Sequence, residues 1–144
     1  TLHRRMHIQN MTIFIFSKIT SIVISSSDSD VFNYANNAAN SFGPIDSVTN
    51  ARSTSDKLYT PYGSSPSYVN VATLIAGLNN GYAITISTIG SAGSGNGDIF
   101  VNAPINSNDG SLSLTAAGAV NISNAITLTG SNSQLYVEGA SINI

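Results

Sequence analysis

The chain has 144 residues, enough for one domain with a buried core, and only 8% of them are charged against 42% hydrophobic. Five basic and seven acidic residues give a formal charge of -2, which offers no basic surface and argues against nucleic acid as a partner. With no cysteine, disulfide staples and thiol catalysis are excluded, and hydration has to come from Ser, Thr and Asn.

At the amino end, Met6 and Ile8 alternate as a first strand, Ile13 and Ile15 continue the apolar side, and Ile22 with Ile24 form a further strand before the polar run SSSDSD. The stretch MTIFIFSKITSIVIS follows Arg4 and Arg5 and so has the outline of a secretory signal. Lys18 interrupts its apolar run, no small-residue cleavage site follows, and it is too short to span a bilayer as a helix. Its β-branched ladder favours strand. Residues 1–25 are therefore expected to form β-solenoid coil.

Residues 26–69 change texture, being rich in Ser, Asn and Asp, punctuated by Pro44, Pro61 and Pro66, and without sustained periodicity. This reads as a long loop excursion. Phe32, Tyr34, Phe42, Tyr59 and Tyr62 are spread through it, and such rings need something to cover. Packing on the flank of the core is the plain reading, and an exposed aromatic platform for carbohydrate is the sharper one.

The segment NVATLIAGLNNG predicts a short helix over 70–81, because Val71, Leu74, Ile75 and Leu78 fall at helical spacing. Asn70 suits the N-cap and Gly81 the C-terminal stop. Tyr82 to Ser87 then reads as a strand with Ile84 and Ile86 on one face.

Past the loop GSAGSGNG, one phrase recurs to Ile144. GDIFVNAPINSNDGSLSLTAA is followed by GAVNISNAITLTGSNSQLYVE and then GASINI, a period of 21 to 22 residues. Ile99 and Val101 fall over Val120 and Ile122, with Ile142 and Ile144 over these after a one-residue slip; Ile105 falls over Ile126, and Leu112 with Leu114 matches Leu135 with Val137. Short alternating strands at that period indicate a chain wound into a β-solenoid, with neighbouring coils about 4.8 Å apart. One coil cannot bury its single aliphatic row, and stacking supplies the partner. Asn102, Asn106, Asn108, Asn121, Asn124, Asn132 and Asn143 then belong at corners or outward positions, since Asn tolerates left-handed backbone and bonds its own main chain. Residues 82–144 are expected to be such coils.

The order VATLIAGLNNGYAITIST, GSGNGDIFVNAPI, LSLTAAGAVNISNAITLTG resembles coils of the filamentous-haemagglutinin family of exoproteins, adhesins secreted by the two-partner pathway, and TLHRRMHIQNMTIF with its SDSD tail is similar to an earlier coil of that family. The resemblance implies an all-β fold, a right-handed parallel β-helix with one short helix and a long loop excursion. It also implies export through an outer-membrane pore of a Gram-negative bacterium and a secreted or cell-surface role as a rigid stalk.

No motif for chemistry stands out. GSGNGDIFV has the outline of a calcium-binding glycine-rich turn, but it occurs once and Asp98 is one position out of step, so a turn entering a strand is the default. Gly93, Gly95 and Gly97 lack the spacing and following helix of a dinucleotide loop. His3 and His7 have no patterned metal-ligating partner. Asp28 and Asp30 could be a glycan-cleaving carboxylate pair, although a Ser/Asp cluster is more often a solvated turn. The expectation is a segment with no catalytic, metal or cofactor site. It would act as a rigid stalk in an adhesin-like exoprotein and present surfaces to a host or neighbouring-cell glycan or protein. The alternatives are a head-to-tail fibre subunit and a polysaccharide-active enzyme.

Overall fold

The structure is a computed structural model that describes residues 20–36, 56–63, 66–90 and 95–144, among which there are twelve strands and one helix. The strands expected around Met6 and Ile8 and around Ile13 and Ile15 lie outside the described residues.

The first sheet contains β1 (Ile22–Ser25), β4 (Ser67–Asn70), β6 (Ile99–Val101), β9 (Ala119–Ile122) and β12 (Ser141–Asn143), in the spatial order β12-β9-β6-β1-β4. A second sheet pairs β7 (Ile105–Ser107) with β10 (Ile126–Leu128). The third, β11-β8-β5-β3-β2, is built from β2 (Phe32–Asn36), β3 (Asp56–Pro61), β5 (Ala83–Ser87), β8 (Ser111–Thr115) and β11 (Leu135–Glu138).

Alternation in the sequence decides which side of each strand is buried. In the first sheet Ile22 lies beside Ile99 and Ile99 beside Val120, while Val69, Ile24, Val101 and Ile122 form a parallel column. In the third sheet Ile84 aligns with Leu112 and Leu135, and Ile86 with Leu114 and Val137. Ile22, Ile24, Ile86, Ile99, Ile105, Leu112 and Leu114 are fully buried in one shared core. Each such side chain contributes about 1.5–3 kcal/mol relative to exposure. The alternate residues of the first sheet face outward, where Asn143 Nδ2 donates to Asn121 Oδ1 at 2.8 Å.

Between β4 and β5 lies helix α1 (Val71–Asn79), at the place its periodicity predicts. Asn70 caps it, accepting from Ala72 N at 2.9 Å. Leu74, Gly77 and Leu78 are its buried face, and a side chain at Gly77 would press on Ile84 Cδ1 at 2.8 Å. The turn after it bends through Gly81 at φ +79°, a conformation that glycine adopts without steric cost.

The expectation of an all-β, right-handed parallel β-helix (β-solenoid) is corrected by this topology. The sheets are mixed: β2 runs antiparallel to β3, with Tyr34 opposite Tyr59, and Val31 makes an antiparallel bridge to Tyr68. A coil that climbs steadily would also set the strands of one sheet in chain order, whereas β4 lies outside β1 and β1 lies directly against β6. The repeat fixes local pairing from β6 onward, with Val101 opposite Ile122 in parallel. It does not govern the first half of the chain. Residues 26–69, read as loop, contribute β2, β3 and β4. Their aromatic rings and backbone pairing compensate for the missing aliphatic alternation.

Candidate functional site

The carboxylates singled out in the sequence are fasteners between the turn after β1 and the start of α1. Ser25 Oγ donates to Asp28 Oδ2 at 2.6 Å, Asp28 N returns a bond to Ser25 Oγ at 3.1 Å, and the Asp28 carbonyl accepts from Asn70 Nδ2 at 2.9 Å. Both Asp30 oxygens are used as well, one accepting from Asn70 N and the other from Thr73 Oγ1, each at 2.6 Å. A carboxylate there also meets the positive end of the helix dipole. General acid/base work needs two carboxyl groups facing one cleft with their pKa values driven apart. Here each acid instead holds its own set of local donors. Asp30→Asn is expected to cost about 1 kcal/mol, the usual net scale of one hydrogen bond, because asparagine keeps one accepting oxygen for the two donors. It should accelerate amide hydrogen exchange at Asn70 and Ala72 while sparing β8, and unchanged exchange at α1 would refute the fastening role.

The aromatic residues divide. Tyr59 is buried, Phe32 packs on it with ring centroids 4.3 Å apart, and the exposed Tyr34 lies 5.7 Å from Tyr59. Tyr62 is 62% exposed, and Lys57 Nζ lies 4.5 Å above the ring of Tyr82. Phe42 lies outside the described residues. Burial pushes the Tyr59 phenol up to about 12, with the neighbouring Tyr34, Asp30 and Tyr82 acting in the same direction. An unfolded tyrosine ionises near 10. From that pH upward the unfolded chain therefore releases its proton first, and stability that is complete below pH 10 falls as the pH climbs toward 12. In a titration followed at the phenolate absorbance band, Tyr59→Phe should remove the last tyrosine to ionise; loss of an early component instead would contradict this burial.

Asp98 clips adjacent strands together. Its Oδ1 accepts from Ala119 N at 2.7 Å, its carbonyl from Ile22 N at 3.0 Å, and its own N–H donates to Ser21 Oγ at 3.2 Å. Gly97, at φ +75°, places its carbonyl to accept from Thr88 Oγ1 at 2.6 Å and from Gly118 N at 3.0 Å. One carboxylate oxygen is thus engaged by a backbone amide of the next strand, as befits a turn entering a strand. Gly93, His3 and His7 lie outside the described residues, and among the described residues no group of three or more His, Asp or Glu is placed to hold a metal ion.

Polar residues that the sequence places at corners or outward positions come together on the second sheet. Asn106 on β7 lies beside Thr127 on β10; just past the end of the ladder Thr129 donates to Ser107 O from its N at 2.9 Å and from its Oγ1 at 3.3 Å, and Asn108 lies in the bend after β7. All four side chains are exposed. With Asn79 and Ser107 they line an open cavity of about 300 Å³. The asparagines were visible in the sequence as corner or outward candidates, but only the register places Asn106 opposite Thr127. No family model, characterised protein or solved structure matches this chain.

Proposed function

We propose that this chain is a non-catalytic structural segment of a secreted or surface-exposed adhesin-like protein, a stiff stalk that holds binding side chains outward toward a cell-surface glycan or protein. The observation that carries the reading is the set of in-register parallel ladders from β6 to β12, joined to β1, β4, β3 and β5 around one aliphatic core. Backbone bonds and side-chain columns then resist the same deformation together, which is the property a stalk needs. The use of Asp28, Asp30 and Asp98 as fasteners supports the same reading, because the acidic groups singled out in the sequence serve the framework.

Force spectroscopy on the chain held between marker domains tests it. A distinct rupture peak is expected, with little extension before it. Smooth lengthening at low force would overturn the stalk, and failure of surface-immobilised chain to retain any cell type would overturn the adhesin role.

A second reading, head-to-tail self-association, is favoured by the apolar surface that β10, β11 and β12 present. Leu135, Tyr136 and Ile142 are 45%, 46% and 47% exposed, and Ile122, Ala125, Ile126 and Leu135 contribute to an open cavity of about 450 Å³ beside them. Strand edges of this kind template further pairing. Sedimentation velocity over a wide concentration range decides it: growing species support a fibre, and a constant 14.9 kDa particle removes the idea.

A further inference from the structure

We infer that the outward face of β7 and β10 is a binding site for a neutral glycan, read by Asn106, Asn108, Thr127 and Thr129 with Asn79 at its border. This deepens the reading of the chain as a display scaffold and rests on it, because the site exists only while the two strands keep their register.

Three observations converge. The first is proximity: Asn106 and Thr127 are direct neighbours across the ladder, and Asn108 and Thr129 line the same cavity just beyond its end. The paired Asn106 and Thr127 sit about 4.8 Å apart across the strands. The second is a fixed amide. Asn79 Oδ1 accepts from Asn108 N at 3.1 Å and lies 2.6 Å from Ser107 Oγ. A backbone N–H can only donate, so the amide oxygen must face it, and the two Nδ2 hydrogens are turned away from that contact. The third is the lining. The cavity of about 300 Å³ is bounded by Asn79, Asn106, Ser107, Asn108, Thr127 and Thr129, of which none is charged and none aromatic.

The chemistry of that lining selects its ligand. The asparagine amides and the Thr127 hydroxyl supply donors and acceptors, Thr129 Oγ1 donates to Ser107 O and offers a ligand its acceptor side, and this mixture matches a molecule whose own groups do both. An anionic ligand would surrender hydration with no cation to replace it. A protein partner would be anchored by buried aromatic or arginine side chains, and the lining contains neither. A volume near 300 Å³ is at the small end of ligand sites, suiting one or two sugar rings. Threonine has few rotamers and the strands are already ordered, so the entropy lost on binding falls mainly on the asparagines.

The test is an NMR titration of the isotopically labelled full chain with neutral tetrasaccharides of β-1,4-linked glucose, β-1,4-linked N-acetylglucosamine, α-1,2-linked mannose and β-1,4-linked galactose, with a heparin-derived tetrasaccharide as the acidic control. At least one neutral sugar is expected to shift the side-chain amides of Asn79, Asn106 and Asn108 and the methyls of Thr127 and Thr129 saturably. The affinity should be about millimolar, common for a small, open and polar site. Asn106→Ala and the near-isosteric Thr127→Val should each weaken that binding tenfold or more with the melting temperature unchanged. If no neutral sugar moves these resonances while the Ile126 and Leu128 amides stay protected from exchange, the glycan inference fails and the scaffold stands. If those amides exchange freely, both fail. Binding by the acidic control alone, or shifts confined to Tyr34 and Tyr62, also overturns the assignment.

Discussion

Gly110→Ala is expected to destabilise the fold by about 2–5 kcal/mol, the sum of a left-handed backbone penalty and a steric clash with main chain. Gly110 has φ +71° at the crossing from β7 to β8, and a Cβ there would lie 2.6 Å from Leu78 O, 2.7 Å from Tyr82 O and 2.9 Å from Leu78 Cα. All three atoms belong to backbone, so no side chain can swing aside. Tyr82 O is also engaged, accepting from Ser111 N at 3.1 Å, and moving it would loosen the start of β8. Gly63 and Gly90 separate the two effects, since they have φ +72° and +75° and a Cβ at either would meet no atom within 4 Å. Alanine at either should cost only the backbone penalty, about 1–2 kcal/mol. Urea unfolding of the three variants reads the difference directly. A Gly110→Ala loss equal to that of Gly90→Ala would mean that the end of α1 does not press on this crossing.

Leu112→Ala comes next in size, at about 2–5 kcal/mol, because a fully buried leucine leaves a cavity as well as losing its transfer energy. Leu112 has no exposed surface and lies between Ile84 on β5 and Leu135 on β11. Backbone pairing on both sides holds the neighbouring strands apart and limits collapse into the vacated space. Leu135→Ala is the internal comparison: it removes the same atoms from a residue already 45% exposed, and about 1 kcal/mol is expected from the smaller burial. Denaturant midpoints with unchanged slopes would give both values. Equal losses at the two positions would refute a core centred on β5 and β8.

These positions also mark what sequence reading reached. Helix α1 was legible because Val71, Leu74, Ile75 and Leu78 carry its period locally and Asn70 supplies a cap beside them. The pairing of Val101 with Ile122 was legible for a similar reason, each copy of the repeat presenting like residues at like places. β2 and β3 were not, because Phe32, Tyr34, Lys57 and Tyr59 acquire their arrangement only by pairing with each other across an intervening stretch. The order of β4, β1 and β6 was hidden for the same reason, since nothing within SYVN or IVIS states which neighbour lies on which side. Asp30 looked like one acid in a solvated cluster, and its partners Asn70 and Thr73 are some forty residues away. The face of Asn106 and Thr127 escaped notice because Asn is equally suited to a corner.

The place of β1 sets how the molecule can be divided. Ile22 pairs with Ser67 on one side and with Ile99 on the other, so four residues near the amino end bridge strands that follow much later. During synthesis β1 emerges before both of its partners, β4 and β6, and waits with both flanks open. Cutting the gene just after Ser25 would therefore extract a keystone from mid-sheet, orphaning β4 from β6, β9 and β12, and any shortened version meant to fold has to keep residues 22–25.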